Sequence, residues 1–216
     1  MNSFNSARTF FVLSSINLFF LLMHFVPEDW SWTLHTKFNL DGEGTIPAWW
    51  STILLAQIAV SAFLIQRTLG SFETEGQKFW RVFALAFLFL SADECAKFHE
   101  HIDTFTNIKW VFVYAPAALA FFVICLHHFL LNELNVKIRK LILGGLFVYA
   151  AGALGAEFLW YVCNQFGWFE GPLINELRFV IEEGLELTGV SLIVCGCLAK
   201  LSDRYSPQSA LSANHH

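Results

Sequence analysis

The sequence predicts an all-α protein, a bundle of about six transmembrane helices that forms one integral membrane domain over residues 1–216. Its composition is the first observation: 56% of the 216 residues are hydrophobic, 17% are aromatic and only 14% are charged, which is typical of polytopic membrane proteins. The second is that six apolar stretches approach the roughly 20 residues needed to cross about 30 Å of hydrocarbon. The stretches are residues 8–26, 47–69, 80–105, 110–131, 140–165 and 174–200.

Local signals mark the boundaries and irregularities of these spans. Span one is too uniformly apolar to resemble a cleaved signal peptide. Pro47 falls in the first turn of span two, where its missing N–H does no harm, and Pro116 should kink span four. Gly152 and Gly155 in span five allow close helix packing. Asn175 is the expected N-cap of span six.

The distribution of basic residues predicts the orientation. Nine Lys and Arg residues lie in the loops on the side of both termini, whereas the opposite side holds only Lys37, Lys109 and Arg178. The positive-inside rule therefore places both termini in the cytoplasm.

Net charge and cysteine usage exclude several classes of function. The formal net charge is −5, and no basic patch interleaved with aromatic residues predicts nucleic-acid binding. The five cysteines all fall in apolar stretches, where they are interpreted as small buried hydrophobes rather than disulfides or a zinc site.

An unusual stretch of charged residues ends span three, at residues 90–101. At 1.5 Å per residue, Asp93 and Glu94 lie roughly 15 Å below the outer boundary of the membrane. Glu157 of span five, and Glu183 and Glu186 of span six, reach depths of about 12–16 Å on the same basis. Three helices therefore bring acidic groups to one level in the outer half of the bilayer, where ionisable residues usually serve function.

Helical spacing predicts which side chains of span three face together. At about 100° per residue, Asp93, Lys97 and Glu100 share one face of span three, whereas His99 points elsewhere. Lys97 can then pair with Asp93 and Glu100, four and three residues away.

Carboxyl groups outnumber cations in this cluster. Two cations, Lys97 and Arg178, face seven carboxyl groups, and Arg178 lies one turn before Glu182. In a low dielectric the surplus must be protonated or neutralised by a bound cation. The seven are Asp93, Glu94, Glu100, Glu157, Glu182, Glu183 and Glu186.

The first functional hypothesis is a membrane enzyme with a divalent metal and a lipid-like substrate. Carboxylate and imidazole ligands suit zinc, iron or manganese, and Asp93 or Glu100 would act as the general base. The cluster lacks the paired Glu-x-x-His motif of ferritin-like di-iron proteins. The candidate metal ligands are Glu94, His99, His101, Glu157, Glu183 and Glu186.

Two alternatives remain open on the sequence. The carboxyl groups could serve as ion sites of a proton or cation channel or transporter subunit. They could instead fix helix register in a structural or signalling membrane subunit. Membrane lipids are the expected partners, nucleic acid is not, and a homo-oligomer or a membrane complex is left open. His24, near the outer end of span one, is a further candidate for the site.

Three segments of the chain form a recognisable set: residues 41–51, the LSADE run at 90–94 with His99 and Glu100, and the EEGLELTG run at 182–189. Together they resemble a group of uncharacterised prokaryotic six-span inner-membrane proteins. The resemblance implies an inner-membrane setting but no reaction. It singles out Asp93, Glu94, His99, Glu100, Glu183 and Glu186.

Overall fold

The computed structural model describes residues 4–42, 44–69, 74–106, 108–131, 135–168 and 171–204, and this part of the chain is almost entirely helical. Its helices, in order, are α1 (Ser6–Met23), α2 (Trp32–Phe38), α3 (Ile46–Arg67), α4 (Glu75–Ala96), α5 (Phe98–Thr106), α6 (Trp110–Leu131), α7 (Val136–Ala150), α8 (Glu157–Gln165) and α9 (Pro172–Arg204). A π-helical segment, Ala151–Ala156, joins α7 to α8 without a break.

Five of the six predicted spans correspond to helices that are long and apolar enough to cross a membrane, which confirms the all-α membrane class. They are α1, α3, α6, α9 and the continuous helix Val136–Gln165. The 22-residue α4 is long enough, but every 18-residue window of it carries at least three charged side chains.

The helix ends follow local signals in the sequence. Thr45 caps α3, with Pro47 in its first turn as expected, and Thr74 and Gln77 form a reciprocal capping box at the start of α4. The prediction for Asn175 was wrong. Because α9 begins at Pro172, Asn175 lies within its first turn, and its N–H donates to the carbonyl of Gly171.

Helix packing concentrates on two pairs, α3 with α4 and α7 with α9. Fully buried aromatic side chains, among them Trp80, Phe83 and Phe87 of α4, fill the core. On the other pair, a Cβ added to Gly145 would lie 2.7 Å from the carbonyl oxygen of Gly189. Only residues without side chains allow α7 and α9 to approach this closely.

A buried amide ties α1 to the rest of the bundle. The Nδ2 of Asn17 donates to the Leu187 carbonyl at 3.1 Å and to Ser191 Oγ at 3.0 Å. Its Oδ1 accepts from the indole Nε1 of Trp50 at 2.9 Å. Every hydrogen-bonding group of this amide side chain is therefore used in joining α1, α3 and α9.

The outer surface of the bundle is apolar. α6 is the least buried of the five long apolar helices, with Leu119 at 65% exposure, and it continues as one helix through Pro116. Such faces are typical of helices surrounded by lipid.

Candidate functional site

The helix break at Lys97 organises the candidate site. Lys97 adopts a left-handed conformation with φ of 51°, and its N–H donates to the carbonyl of Asp93 at 2.6 Å. α4 therefore ends at Ala96, and α5 starts in a new direction at Phe98. The prediction of one continuous span over residues 80–105 was wrong at this point.

The break brings His99 within hydrogen-bonding distance of Asp93. The backbone N–H of His99 donates to Asp93 Oδ1 at 3.0 Å, and its ring Nδ1 lies 2.8 Å from Asp93 Oδ2. On a continuous helix, residues six apart would be separated by about 9 Å along the axis and would face different directions. The expectation that His99 points away from Asp93 was therefore wrong, because it assumed a straight helix.

Aromatic side chains of α6 enclose this pair. The hydroxyl of Tyr114 donates to Asp93 Oδ1 at 3.1 Å, and the Trp110 ring lies 4.8 Å from the His99 ring, centroid to centroid. Asp93 is buried at 6% exposure. Its carboxyl group thus accepts three hydrogen bonds in a confined, largely aromatic setting.

The Asp93–His99 pair lines a cavity of about 470 Å³, to which α3 to α9 and the π-helical segment all contribute residues. One end is polar and includes Asp41, Asp103 and Lys109 from the segments before α3 and α6. The opposite end is apolar, with Phe87 and Phe121 among its lining side chains. A cavity that is charged at one end and apolar at the other matches an amphiphilic molecule in shape and polarity.

The structure brings most of the sequence-predicted residues together here. Asp93, Glu94, His99, Glu157, Glu183 and Glu186 all line the cavity. His101 does not: it is exposed, with its Nδ1 2.9 Å from the carbonyl oxygen of Lys97. The backbone of Glu100 belongs to α5, but its side chain lies outside the described part of the structure.

Arg178 of α9 joins the carboxyl groups of two helices. It forms an ion pair with Glu157 of α8 and a second contact, Nε to Oε2 at 3.5 Å, with Glu182. The second contact is longer than a well-formed hydrogen bond. The guanidinium also lies 5.3 Å from the Trp160 ring and 5.0 Å from the Phe179 ring. The predicted pairing with Glu182 is therefore present, with Glu157 as the closer partner.

A second ion pair stands at the polar end of the cavity. Lys109 Nζ lies 2.7 Å from Asp103 Oδ2, and the other oxygen of Asp103 accepts the backbone N–H of Trp110 at 2.6 Å. The hydrogen bond to Asp103 raises the pKa of Lys109. This arrangement fixes the segment that leads from α5 into α6.

Glu186 packs on the π-helical segment. A Cβ added to Gly152 would lie 2.8 Å from Cγ of Glu186 and 2.9 Å from its backbone nitrogen. π-helical turns occur often at functional sites. Within the described residues, neither Glu183 nor Glu186 has a hydrogen bond or ion pair to another side chain. Both line the cavity, so their carboxyl groups are available to interact with a molecule bound there.

The described residues offer no ready-made metal site. Among them, no three His, Cys, Asp or Glu side chains are grouped closely enough to hold a metal ion. Five of the six predicted ligands, all except His101, line the cavity without forming such a group. The metal site stays a prediction to be tested by experiment.

His24 belongs to a different contact. It is buried at 5% exposure, its Nδ1 accepts the N–H of Leu40 at 3.2 Å, and its Nε2 lies 2.7 Å from Glu176 Oε2. The last contact has the distance of an ion pair without the alignment of a hydrogen bond. His24 does not line the cavity.

Sequence reasoning missed Tyr114, Trp110 and Tyr149 as cavity-lining residues. A usable signal was present for Tyr114, whose hydroxyl lies in an apolar span about 6 Å inward from the start of α6. A buried tyrosine hydroxyl usually needs a partner, and Asp93 supplies it.

Fold and site together define a helical membrane protein with an acidic, amphiphilic cavity. Residues 9–201 match the model of a family described as a domain of unknown function, DUF8692, and the chain belongs to this family. No curated protein and no solved structure matched the chain.

Proposed function

We propose that this protein is a six-span protein of the cell inner membrane with both termini in the cytoplasm. α4 supplies the sixth span: its 22 residues would extend about 33 Å, and its charged residues lie only in its first two turns and its last turn. The excess of basic residues on the side of the termini supports the orientation. The polar end of the cavity then faces outward.

The protein binds a lipid-like amphiphile in this cavity and acts on it as an enzyme. The polarity of the cavity carries this proposal, because an acyl chain fits the end lined by Phe87 and Phe121 while a polar head meets the charged end. The Asp93–His99 pair lies between the apolar end and the charged end of the cavity. Asp93 is one helical turn outward from Phe89 and Leu90, which also line the cavity.

His99 is the proposed general acid or base, and Asp93 positions it. A proton on Nδ1, shared with Asp93, leaves Nε2 as the accepting nitrogen of the ring. Asp93 is less suited to take a proton itself, because its two oxygens already accept from the His99 backbone, the His99 ring and Tyr114. This modifies the sequence-based hypothesis that assigned the general base to Asp93 or Glu100.

Occlusion of the apolar end tests the binding step. Ala118 lines the cavity, whereas its neighbour Leu119 is 65% exposed on the surface of α6. Lipid extracts of the detergent-purified protein should contain an enriched amphiphile. This amphiphile should be absent from extracts of Ala118→Trp and present in extracts of Leu119→Trp. Equal retention by the two variants would rule out this cavity as the binding site.

A His99→Gln variant tests the catalytic step. It should still retain the amphiphile but convert it about 10²–10⁴-fold more slowly, the usual contribution of a general acid or base. Comparison of the lipids released by wild type and variant would identify the substrate and product. Identical lipid profiles in both would remove the catalytic role of His99.

A bound divalent cation is the second candidate, and the surplus of carboxyl groups favours it. Eight carboxyl side chains line the described cavity against Lys97, Lys109 and Arg178. A cation such as zinc, iron or manganese could bind with water or the substrate completing its ligands. Elemental analysis of purified protein tests this: a content well below one metal per chain, unchanged by Glu183→Ala, would exclude it.

Ion transport has less support. The described lining of the inner end is apolar, although such constrictions can gate by dewetting. Liposomes containing the protein should show no proton or cation current at any pH if the enzyme proposal is right.

A further inference from the structure

A second depression lies on the surface of the bundle, between α6 and the continuous helix formed by α7, the π-helical segment and α8. Its volume is about 450 Å³, and every side chain that lines it is apolar. Phe112 and Ala115 line it on α6, and Phe147, Gly155 and Phe158 line it on the facing helix. We refer to it as the surface groove.

The groove and the cavity share a wall. Ala150 and Leu154 line both of them, so these two side chains form part of the wall between groove and cavity on the side of the α7–α8 helix. On α6, the groove residue Ala115 is followed by Ala117 and Ala118, which face the cavity. Alanine side chains therefore contribute to this wall on both helices.

The backbone is also irregular at the wall. Leu154 belongs to the π-helical segment Ala151–Ala156, where i→i+5 hydrogen bonding replaces the regular α-helical pattern. The 22-residue α6 contains Pro116 next to Ala115, and a proline inside a helix removes one backbone hydrogen bond. Both helices therefore lose regular hydrogen bonding at the level where groove and cavity meet.

We propose that the surface groove holds an acyl chain and that the seam between Ala115 and Leu154 is the lateral portal through which a lipid-like molecule passes from the bilayer into the cavity. The inference rests on the proposed function, because it presumes an amphiphile in the cavity. The occupant follows from continuity: an all-apolar groove on a membrane-facing surface leads directly to the apolar lining of a cavity with a charged end. Leu154 is the gating side chain.

The test uses proteoliposomes of phosphatidylethanolamine and phosphatidylglycerol, to which a fatty acid carrying a diazirine on its chain is added. Brief illumination at successive times, followed by peptide mass spectrometry, measures the rates at which groove and cavity residues are labelled. In the wild type, label should appear first at Phe112, Phe147 and Phe158, which line only the groove, and then at Phe121 and Phe87, which line only the cavity.

Three variants distinguish the portal from general disruption. Leu154→Trp enlarges a side chain of the shared wall and should reduce the rate of cavity labelling several-fold, whereas labelling of Phe112 and Phe158, which line only the groove, should fall less. Gly155→Phe should reduce labelling of both, because its ring would occupy the groove; a Cβ there meets no atom closer than 3.9 Å, so a side chain can begin at this position without a backbone clash. Leu159→Trp, at a 63% exposed position of α8 that lines neither space, should match the wild type.

Cavity labelling at the wild-type rate in both Leu154→Trp and Gly155→Phe would overturn the portal and leave the proposed function standing. Absence of cavity labelling in the wild type, with the groove labelled, would overturn the proposed function and the portal together. Thermal unfolding of each variant in detergent shows whether a lost label reflects a blocked path or a misfolded protein.

Discussion

The Tyr114 hydroxyl and the His99 ring hydrogen-bond to different oxygens of one carboxyl group, so that two helices converge on Asp93. The Tyr114 hydroxyl lies 3.1 Å from Oδ1, and the His99 Nδ1 lies 2.8 Å from Oδ2. Asp93→Asn should preserve the shape of the site but remove the charge that holds the proton on Nδ1. We expect it to slow conversion of the bound amphiphile more than Tyr114→Phe does, since the latter removes only one hydrogen bond. Nitrogen NMR of the His99 ring would report the altered tautomer; an unchanged spectrum in Asp93→Asn would contradict this role.

Loss of Arg178 should destabilise the protein, because Glu157 and Glu182 would remain without their cation. Removing one partner of a buried ion pair costs on the order of 3 kcal/mol, and all three side chains are at most 22% exposed. Arg178→Met should therefore lower the thermal unfolding temperature in detergent. Adding Glu157→Gln should restore part of the loss, and a double variant no more stable than Arg178→Met would argue against the pairing.

Two glycines of one helix provide a matched test of close packing. Gly152→Ala places a Cβ 2.8 Å from Glu186 Cγ and from the Glu182 carbonyl, and such overpacking typically costs about 1–3 kcal/mol. Gly144→Ala meets no atom within 4 Å and should gain up to about 1 kcal/mol from helix propensity. Unfolding temperatures should therefore shift in opposite directions. An unchanged unfolding temperature in Gly152→Ala would mean that α9 can move away from Gly152 without a loss of stability.

Asn17→Ala should reduce stability without touching the cavity. The substitution removes three hydrogen bonds and leaves Trp50 Nε1 and Ser191 Oγ without their partner. At the strengths measured for hydrogen bonds within membranes, the cost is about 1–3 kcal/mol. Denaturation in detergent should detect this loss, while the retained amphiphile should be the same as in the wild type.

His24 should make the protein less stable in acid. Burial lowers the pKa of His24 below its usual 6.5. The carboxylates of Glu176 and Asp41 raise this pKa in part, and nearby His35 lowers it further. The neutral ring also suits its contact, because Nδ1 accepts the Leu40 N–H. A lowered pKa means that this contribution is complete above pH 6.5 and is lost as the pH falls below it, by at most about 1.4 kcal/mol per pH unit.

The measurement is the unfolding temperature in detergent across this pH range. His24→Gln has no titrating ring, and we expect its stability to change less with pH than that of the wild type. Parallel curves for the two proteins would assign the acid sensitivity to other groups.

The sequence was a good guide to the spans because apolar length is a property of the chain alone. Five of the six predicted stretches correspond to long apolar helices, and the carboxyl groups of Glu157, Glu183 and Glu186 do line one cavity with Asp93. Depth along a helix needs only the rise per residue, so residues on different spans could be assigned to one level.

The parts that failed depend on backbone geometry that composition does not reveal. A left-handed residue is usually a glycine or an asparagine, and nothing about Lys97 signals the break that brings His99 to Asp93. The sequence of the π-helical segment does not predict its conformation either, because Ala, Gly and Leu also suit a regular helix. Tyr114 was missed since its partner became evident only once the two helices were placed side by side.

The π-helical segment also sets the direction in which the side chains of α8 point around the helix axis. Each of its hydrogen bonds encloses one more residue than an α-helical bond, and one residue corresponds to about 100° of rotation. The same residues wound as a regular helix would turn α8 by roughly that angle, carrying Glu157 away from Arg178 and out of the cavity. The number of residues between Ala150 and Glu157 is therefore as much a part of the site as the carboxyl group itself, and apart from Gly152 this segment can tolerate substitution far better than a change in length.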